Sequence, residues 1–141
     1  MNLTSNQKGN IAQKFFELLM TKEKIPCFKP INDHLYDYVI VLNDKFIRIE
    51  VKSSNTNKNG AVIFCTNHSS GRHNIVPYTK KEIDYIFVYS LTGHYAFLPS
   101  SVWENKRNLS LRYKKSNNGA NYPMFQDYSL EELLKNLNML E

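Results

Sequence analysis

The stretch from Lys45 to Ser54, KFIRIEVKSS, alternates along its length: Ile47, Ile49 and Val51 fall on one side of an extended strand, and Arg48, Glu50 and Lys52 on the other. YDYVIVL, Tyr36 to Leu42, precedes it across a short NDK turn, so the pair reads as a β-hairpin. Upstream, the polar residues of TSNQKGN offer helix caps, and Ile11, Phe15, Leu18 and Leu19 then recur at helical spacing, which predicts an amphipathic helix running through KFFELLMTKEK. Pro26 and Pro30 interrupt the segment between this helix and the hairpin. Beyond the hairpin, AVIFCTN, IDYIFVYSL and HYAFLP predict a third, fourth and fifth strand, the last two joined around Thr92 and Gly93. The polar, basic HSSGRHNIVPYTKKE between the third and fourth predicts a surface loop or broken helix. After Pro99, SSVWEN predicts a short helix, NLSLRY a sixth strand, KKSNNGANYP a turn-rich loop and SLEELLKNLNML an amphipathic C-terminal helix. Helix, then sheet, then helix indicates an α/β architecture.

At 141 residues the chain has room for one core, so residues 1–141 are expected to form a single domain, with a main body over about 8–100 and a C-terminal strand, loop and helix over 106–141. A formal charge of +5 accommodates an anionic partner without requiring one. Cys27 and Cys65 lie far apart and outside any Cys-x-x-Cys pattern, which argues against a zinc site or a disulfide framework. The N-terminal MNLTSNQKGN has no apolar signal core, and no stretch approaches the roughly 20 apolar residues of a membrane span. The expectation is an intracellular protein with no membrane partner.

The hairpin carries the chemistry. Folding it brings Asp37, at the start of its first strand, beside Glu50 and Lys52 on its second, with twelve residues between the two carboxylates in sequence. Two carboxylates and an ammonium at one sheet edge suit a hard divalent ion such as Mg²⁺, which takes one or two carboxylates together with water and phosphate oxygens. Such a site suits phosphodiester hydrolysis, with Lys52 orienting or helping to deprotonate the attacking water. Taken alone, the three residues favour a plainer account, an ordinary turn aspartate and a solvated cross-strand pair. The rest of the chain reverses that order.

The arrangement Asp37, twelve residues, Glu50, Val51, Lys52 resembles the PD-(D/E)xK nuclease motif. KGNIAQKFF resembles the first helix of that superfamily, PINDHLYDYVIV and IRIEVKSS its catalytic hairpin. YTKKEIDYIFVYS, HYAFLP and LSLRY resemble the distal half of the subgroup containing a cyanobacterial intron-encoded homing endonuclease. Archaeal Holliday junction resolvases share the same core. The resemblance implies a restriction-endonuclease-like α/β fold, a central mixed sheet flanked by helices. It also implies a Mg²⁺-dependent endonuclease, with Mn²⁺ substituting, that hydrolyses double-stranded DNA. Asp37, Glu50 and the Val51 carbonyl are then the implied metal ligands and Lys52 the partner of the attacking water. Two departures stand out. Relatives usually carry a glutamate on the first helix where this chain has Gln13, with Glu17 one turn further on, and Tyr36 rather than proline precedes Asp37. The homing subgroup often has glutamine where this chain has Glu50, so the carboxylate count is preserved by exchange.

For DNA contact the candidates are Arg72, Lys80, Lys81, Arg107, Arg112, Lys114 and Lys115, because phosphate neutralisation supplies most non-specific affinity. Tyr78 is placed either to bond a phosphate or in the core. Asn117, Asn118 and Asn121 in the loop KKSNNGANY offer side chains that read adenine bidentately, although asparagine-rich loops are also simply loops. Asp84 reads as a structural hydrogen-bond partner. His68, His73 and His94 have no ligand spacing and read as surface imidazoles, and His34 as a loop residue. The functional expectation is a homing-type endonuclease acting as a homodimer or dimer of dimers. A junction resolvase, a restriction or repair nuclease and a non-catalytic DNA-binding module are the alternatives. Leu130, Leu133, Leu134, Leu137 and Leu140 of the last helix serve either an interface or, more simply, packing on their own sheet.

Overall fold

The first helix, α1 (Ser5–Lys22), starts at a capping box: the Gln7 amide donates to the Thr4 hydroxyl at 3.2 Å, and the Thr4 amide donates back to the Gln7 side chain at 2.8 Å. The computed structural model describes residues 2–54, 57–69, 74–119 and 121–138. Helix α1 buries Ala12, Phe16, Leu19 and Met20, whereas Ile11 and Leu18 are 38% and 56% exposed, so the buried face is rotated from the predicted stripe. Two apolar rows run side by side on this helix. The row containing Phe16 is the one that meets Tyr38 and Phe87, each 4.9 Å away ring to ring.

A two-residue strand, β1 (Cys27–Phe28), lies between the prolines, too short to leave a periodic signal in sequence. It pairs antiparallel with β2 (Tyr38–Leu42), which pairs antiparallel with β3 (Lys45–Ser54) from Leu42↔Lys45 to Tyr38↔Ile49. The connecting Asn43 and Asp44 have φ of 53° and 60°, the left-handed geometry that matches the twist of a two-residue hairpin. The chain then makes β4 (Asn57–Lys58), β5 (Ala61–Cys65), β6 (Asn67–Ser69) and β7 (Ile75–Pro77). β6 and β7 form an antiparallel ladder, His68↔Val76 at its centre, where a loop or broken helix was expected. Three-residue strands are too short to show alternation in sequence.

β8 (Tyr85–Ser90) returns parallel to β3, from Ile49↔Tyr85 to Ser54↔Ser90, and β9 (Tyr95–Pro99) pairs antiparallel with β8. α2 (Ser100–Trp103), β10 (Asn108–Arg112), a 3₁₀ turn (Phe125–Tyr128) and α3 (Leu130–Asn138) complete the order. The central sheet is therefore mixed, in the order β1-β2-β3-β8-β9. The predicted third and sixth strands leave it: β5 pairs with β10 and β4 in a separate three-stranded sheet.

Two cores result, one on each face of the central sheet. Helices α1 and α3 cover one face, with Ala12, Phe16, Ile40, Ile49, Phe87 and Leu133 in the core beneath. Val62, Phe64, Ile86, Val88, Trp103 and Leu111 fill the second, towards the small sheet and α2. β8 contributes to both, which is why IDYIFVYSL reads as an almost continuous apolar run. Leu130, Leu133 and Leu137 of α3 are buried in the chain's own core and Leu134 is exposed, while Leu140 lies outside the described residues. Among the described residues no helix is long and apolar enough to cross a membrane.

Candidate active site

Because β2 pairs only as far as Tyr38↔Ile49, β3 runs past the end of its neighbour at Glu50. Asp37 occupies that gap. Its amide donates to the Ile49 carbonyl at 2.9 Å, extending the ladder, and its Oδ2 accepts from the Val51 amide at 2.8 Å. The N–H and C=O of one strand residue face the same edge, so the Val51 carbonyl is directed to the side where Asp37 stands. Glu50 projects from the opposite face of β3 to Ile49 and Val51, towards the second core, and is 8% exposed.

The Asp37 and Glu50 carboxyl groups are close enough for the charge of one to act directly on the other. Burial pushes the Glu50 carboxyl well above the usual carboxylate range and the charge of Asp37 pushes it further; Lys52 and the Tyr78 hydroxyl oppose the shift. Lys52 Nζ stands 3.9 Å from Glu50 Oε1 and 5.1 Å from the centroid of the Tyr78 ring. Tyr78, expected among the DNA contacts, is 3% exposed and belongs to this cluster instead, near enough to Glu50 to feel its charge. Two crowded carboxylates with one ammonium form an acidic oxygen-donor set that a divalent ion would relieve, so the residues fit Mg²⁺. Among the described residues there is no group of three or more histidine, cysteine, aspartate or glutamate side chains arranged to hold a metal.

The first helix adds no carboxylate to the pair. Glu17 Oε2 accepts from the Tyr38 hydroxyl at 2.5 Å and lies 3.2 Å from Lys29 Nζ. The Tyr38 bond and the Lys29 charge hold Glu17 below its ordinary pKa against the effect of burial. With Cys27, Glu17, Lys29 and Tyr38 line a separate cleft of about 320 Å³. Gln13 is half-buried one turn earlier, its backbone carbonyl accepting from the Tyr38 hydroxyl at 3.5 Å.

The wall behind the pair is held by ion pairs. Arg48 grips Asp84 through Nε and a terminal nitrogen at 3.0 and 3.1 Å, and donates to the Lys81 carbonyl at 2.7 Å. Asp84 also accepts from the Arg48 amide at 2.8 Å, so it is the structural partner its position suggested, fastening β3 to β8. His68 is not a surface imidazole: its side chain is 11% exposed, Nε2 lies 3.3 Å from Glu82 Oε2, and its ring is 4.6 Å from that of Tyr78. Neither His68 nor Glu82 carries any sequence signal linking it to Glu50. His94 stacks on Tyr113 at 4.6 Å and His34 on Tyr36 at 5.1 Å, while Arg72 and His73 lie outside the described residues.

The other DNA candidates sort into two places. Lys80 and Lys81 are exposed on the turn before β8. Arg112, Lys114, Lys115, Asn117 and Asn118 line an open groove of about 850 Å³, together with Asn59, Gly60 and Tyr122. Asn121 lines an adjoining recess and Arg107 is exposed just before β10. Arg112 is not a free cation, because its guanidinium donates to the Lys114 carbonyl at 2.7 Å and the Asn59 carbonyl at 2.6 Å. It clamps the β4–β5 turn to the segment after β10. Gly60, at φ 83°, lets that segment pass closely: a Cβ there would sit 3.0 Å from the Cβ of Lys114.

A family model described as PD-(D/E)XK endonuclease matches residues 3–131. Among solved structures, the bacterial homing endonuclease I-Ssp6803I superposes with a TM-score of 0.75 at 21% identity, covering 97% of each chain. MepB superposes at 0.44 and 11% identity over 74% of this chain and 82% of its own. No curated protein matches the chain.

Proposed function

The chain belongs to the PD-(D/E)XK endonuclease family, and on that premise we propose that it is a divalent-metal-dependent, homing-type endonuclease of double-stranded DNA. The observation that carries the reading is the Asp37 bond to the Val51 amide, which sets one carboxylate against buried Glu50 and beside Lys52 at the open edge of β3. Asp37, Glu50 and the Val51 carbonyl would hold Mg²⁺ or Mn²⁺, which when bound supplies Lewis-acid polarisation of the phosphoryl group and stabilisation of the leaving oxygen. Lys52 orients the attacking water, takes part in its deprotonation and offsets charge at phosphorus. Gln13, on α1, would serve the site as a neutral hydrogen-bonding group.

Lys114 and Lys115 neutralise phosphates along the groove, where Asn117 and Asn118 have access to base edges; Lys80 and Lys81 extend the basic surface. Arg112 acts by shaping the groove rather than by binding. One site cuts one strand, so a double-strand break calls for two copies related by a two-fold axis, as a homodimer or a dimer of dimers.

The test is cleavage of plasmid and linear duplex libraries with Mg²⁺ by the wild type and by Asp37→Asn and Lys52→Ala. Each variant is expected to lose cleavage by about 100-fold or more while binding DNA with affinity within about twofold, because the basic surface persists. Full cleavage by Lys52→Ala refutes the site assignment. Cutting confined to four-way junctions replaces the homing reading with a resolvase, and a monomer by light scattering at working concentration refutes the assembly.

A further inference from the structure

We propose that His68, held by Glu82, is a positioning residue of the nuclease site that acts through Tyr78 on Lys52; the inference deepens the endonuclease reading above and rests on it. Four contacts run in series. Glu82 Oε1 accepts from the Thr79 amide at 2.9 Å and its hydroxyl at 3.1 Å, which pins the carboxylate to the turn before β8. Its other oxygen lies 3.3 Å from His68 Nε2, while His68 Nδ1 faces the Ser69 carbonyl at 3.1 Å. The imidazole is thus held from both ends, and its ring lies against Tyr78 at 4.6 Å with a 44° tilt. Tyr78 in turn presents its face to Lys52 Nζ, 5.1 Å from the ring centroid.

The arrangement is costly to leave idle. Nε2 of His68 is buried and makes no hydrogen bond of good geometry, so it relies on the Glu82 carboxylate for compensation. A packing role alone would be filled better by an aliphatic or phenyl side chain. What the pair does accomplish is to fix the plane of Tyr78. Lys52 is a long, flexible side chain, and its other contact in the cluster, Glu50 at 3.9 Å, is beyond hydrogen-bond range. The Tyr78 face therefore sets where the ammonium sits, and supporting groups of this kind govern how well a reactive side chain is pre-oriented.

The experiment compares wild type, His68→Phe and Glu82→Gln, each also in a Tyr78→Ala background. Glu82→Gln keeps the acceptor for Thr79 and guards against misfolding of the ring substitution. Mg²⁺-dependent nicking should show kcat lower by about tenfold in each single variant with KM within about twofold, and no further loss when Tyr78 is already absent. Unchanged kcat in both variants, or losses that multiply with Tyr78→Ala, overturns the proposal. Independently, the Lys52 ε-methylene protons should be shielded by the Tyr78 ring current in the wild-type NMR spectrum and move towards their free values in both variants. Unmoved resonances overturn the positioning role. A wild type that cuts no DNA refutes the endonuclease reading, and the NMR shift then decides the positioning role by itself.

Discussion

Replacing Glu50 with Gln should stabilise the metal-free protein while abolishing its cleavage. Glu50 is buried beside Asp37, and burial first, then that neighbouring charge, raise its pKa from 4.5 to about 9. The unfolded chain leaves the group near 4.5, so folding at pH 7 requires a proton to be taken up. At about 1.4 kcal/mol per pH unit this costs roughly 3 kcal/mol, a figure independent of the folded value provided that value lies well above 7. The sign comes from proton counting: with a raised folded pKa the native state binds more protons, so its stability is full below about 4.5, falls as pH rises and levels out above about 9. Gln is neutral at every pH and similar in shape. The two proteins should therefore unfold alike near pH 4.5 and differ by about 3 kcal/mol at pH 7, or about 2 M in urea midpoint for an m-value of about 1.5 kcal/mol/M. Urea titrations in EDTA, followed by fluorescence of the single, buried Trp103, measure this directly. Mg²⁺ should narrow the gap, because it binds the carboxylate pair of the wild type alone. Coincident midpoints at pH 7, or a gap independent of pH, would refute the crowding of Asp37 and Glu50 in a water-poor site.

The Lys114→Ala/Lys115→Ala double variant should weaken DNA binding uniformly across sequences and reduce the slope of log K against log salt by about 2, checked by fluorescence anisotropy between about 50 and 200 mM salt. Asp84→Ala should destabilise the fold by about 1–2 kcal/mol, discounted for the partial exposure of both partners, because it strands the Arg48 guanidinium and amide; chemical denaturation reads this out. Cys65 is exposed, whereas burial, with a smaller push from Glu17, raises the Cys27 thiol to about 11; iodoacetamide at about pH 8 should label Cys65 well before Cys27 in peptide mass maps.

Much of the fold is written in local pattern. The β2–β3 hairpin follows from strict alternation and from Asn43 and Asp44, residues that tolerate left-handed geometry, all within about twenty residues of chain. The same locality makes the Asp37, Glu50 and Lys52 constellation visible, since a hairpin of known register fixes which residues face one another. α1 is legible as a helix but not in its buried face, because two apolar rows compete and only the rings of Tyr38 and Phe87 decide between them. β5 and β10 read correctly as strands, yet nothing in their own residues shows that they pair with each other rather than with the central sheet.

What the sequence by itself determined was the longer helices and strands and the juxtaposition of Asp37, Glu50 and Lys52 on one hairpin, because both depend on residues close together along the chain. What only the tertiary structure decided was the company that hairpin keeps. The parallel return of β8 beside β3, after an excursion through two smaller sheets, brings Tyr78 to Lys52 with His68 and Glu82 behind it; the packing of α1 turns Glu17 to Tyr38 and Lys29, and the pairing of β10 with β5 turns Arg112 to the Asn59 carbonyl. Burial of Glu50, and with it the raised pKa, exists only once those distant segments exclude water from its carboxyl group.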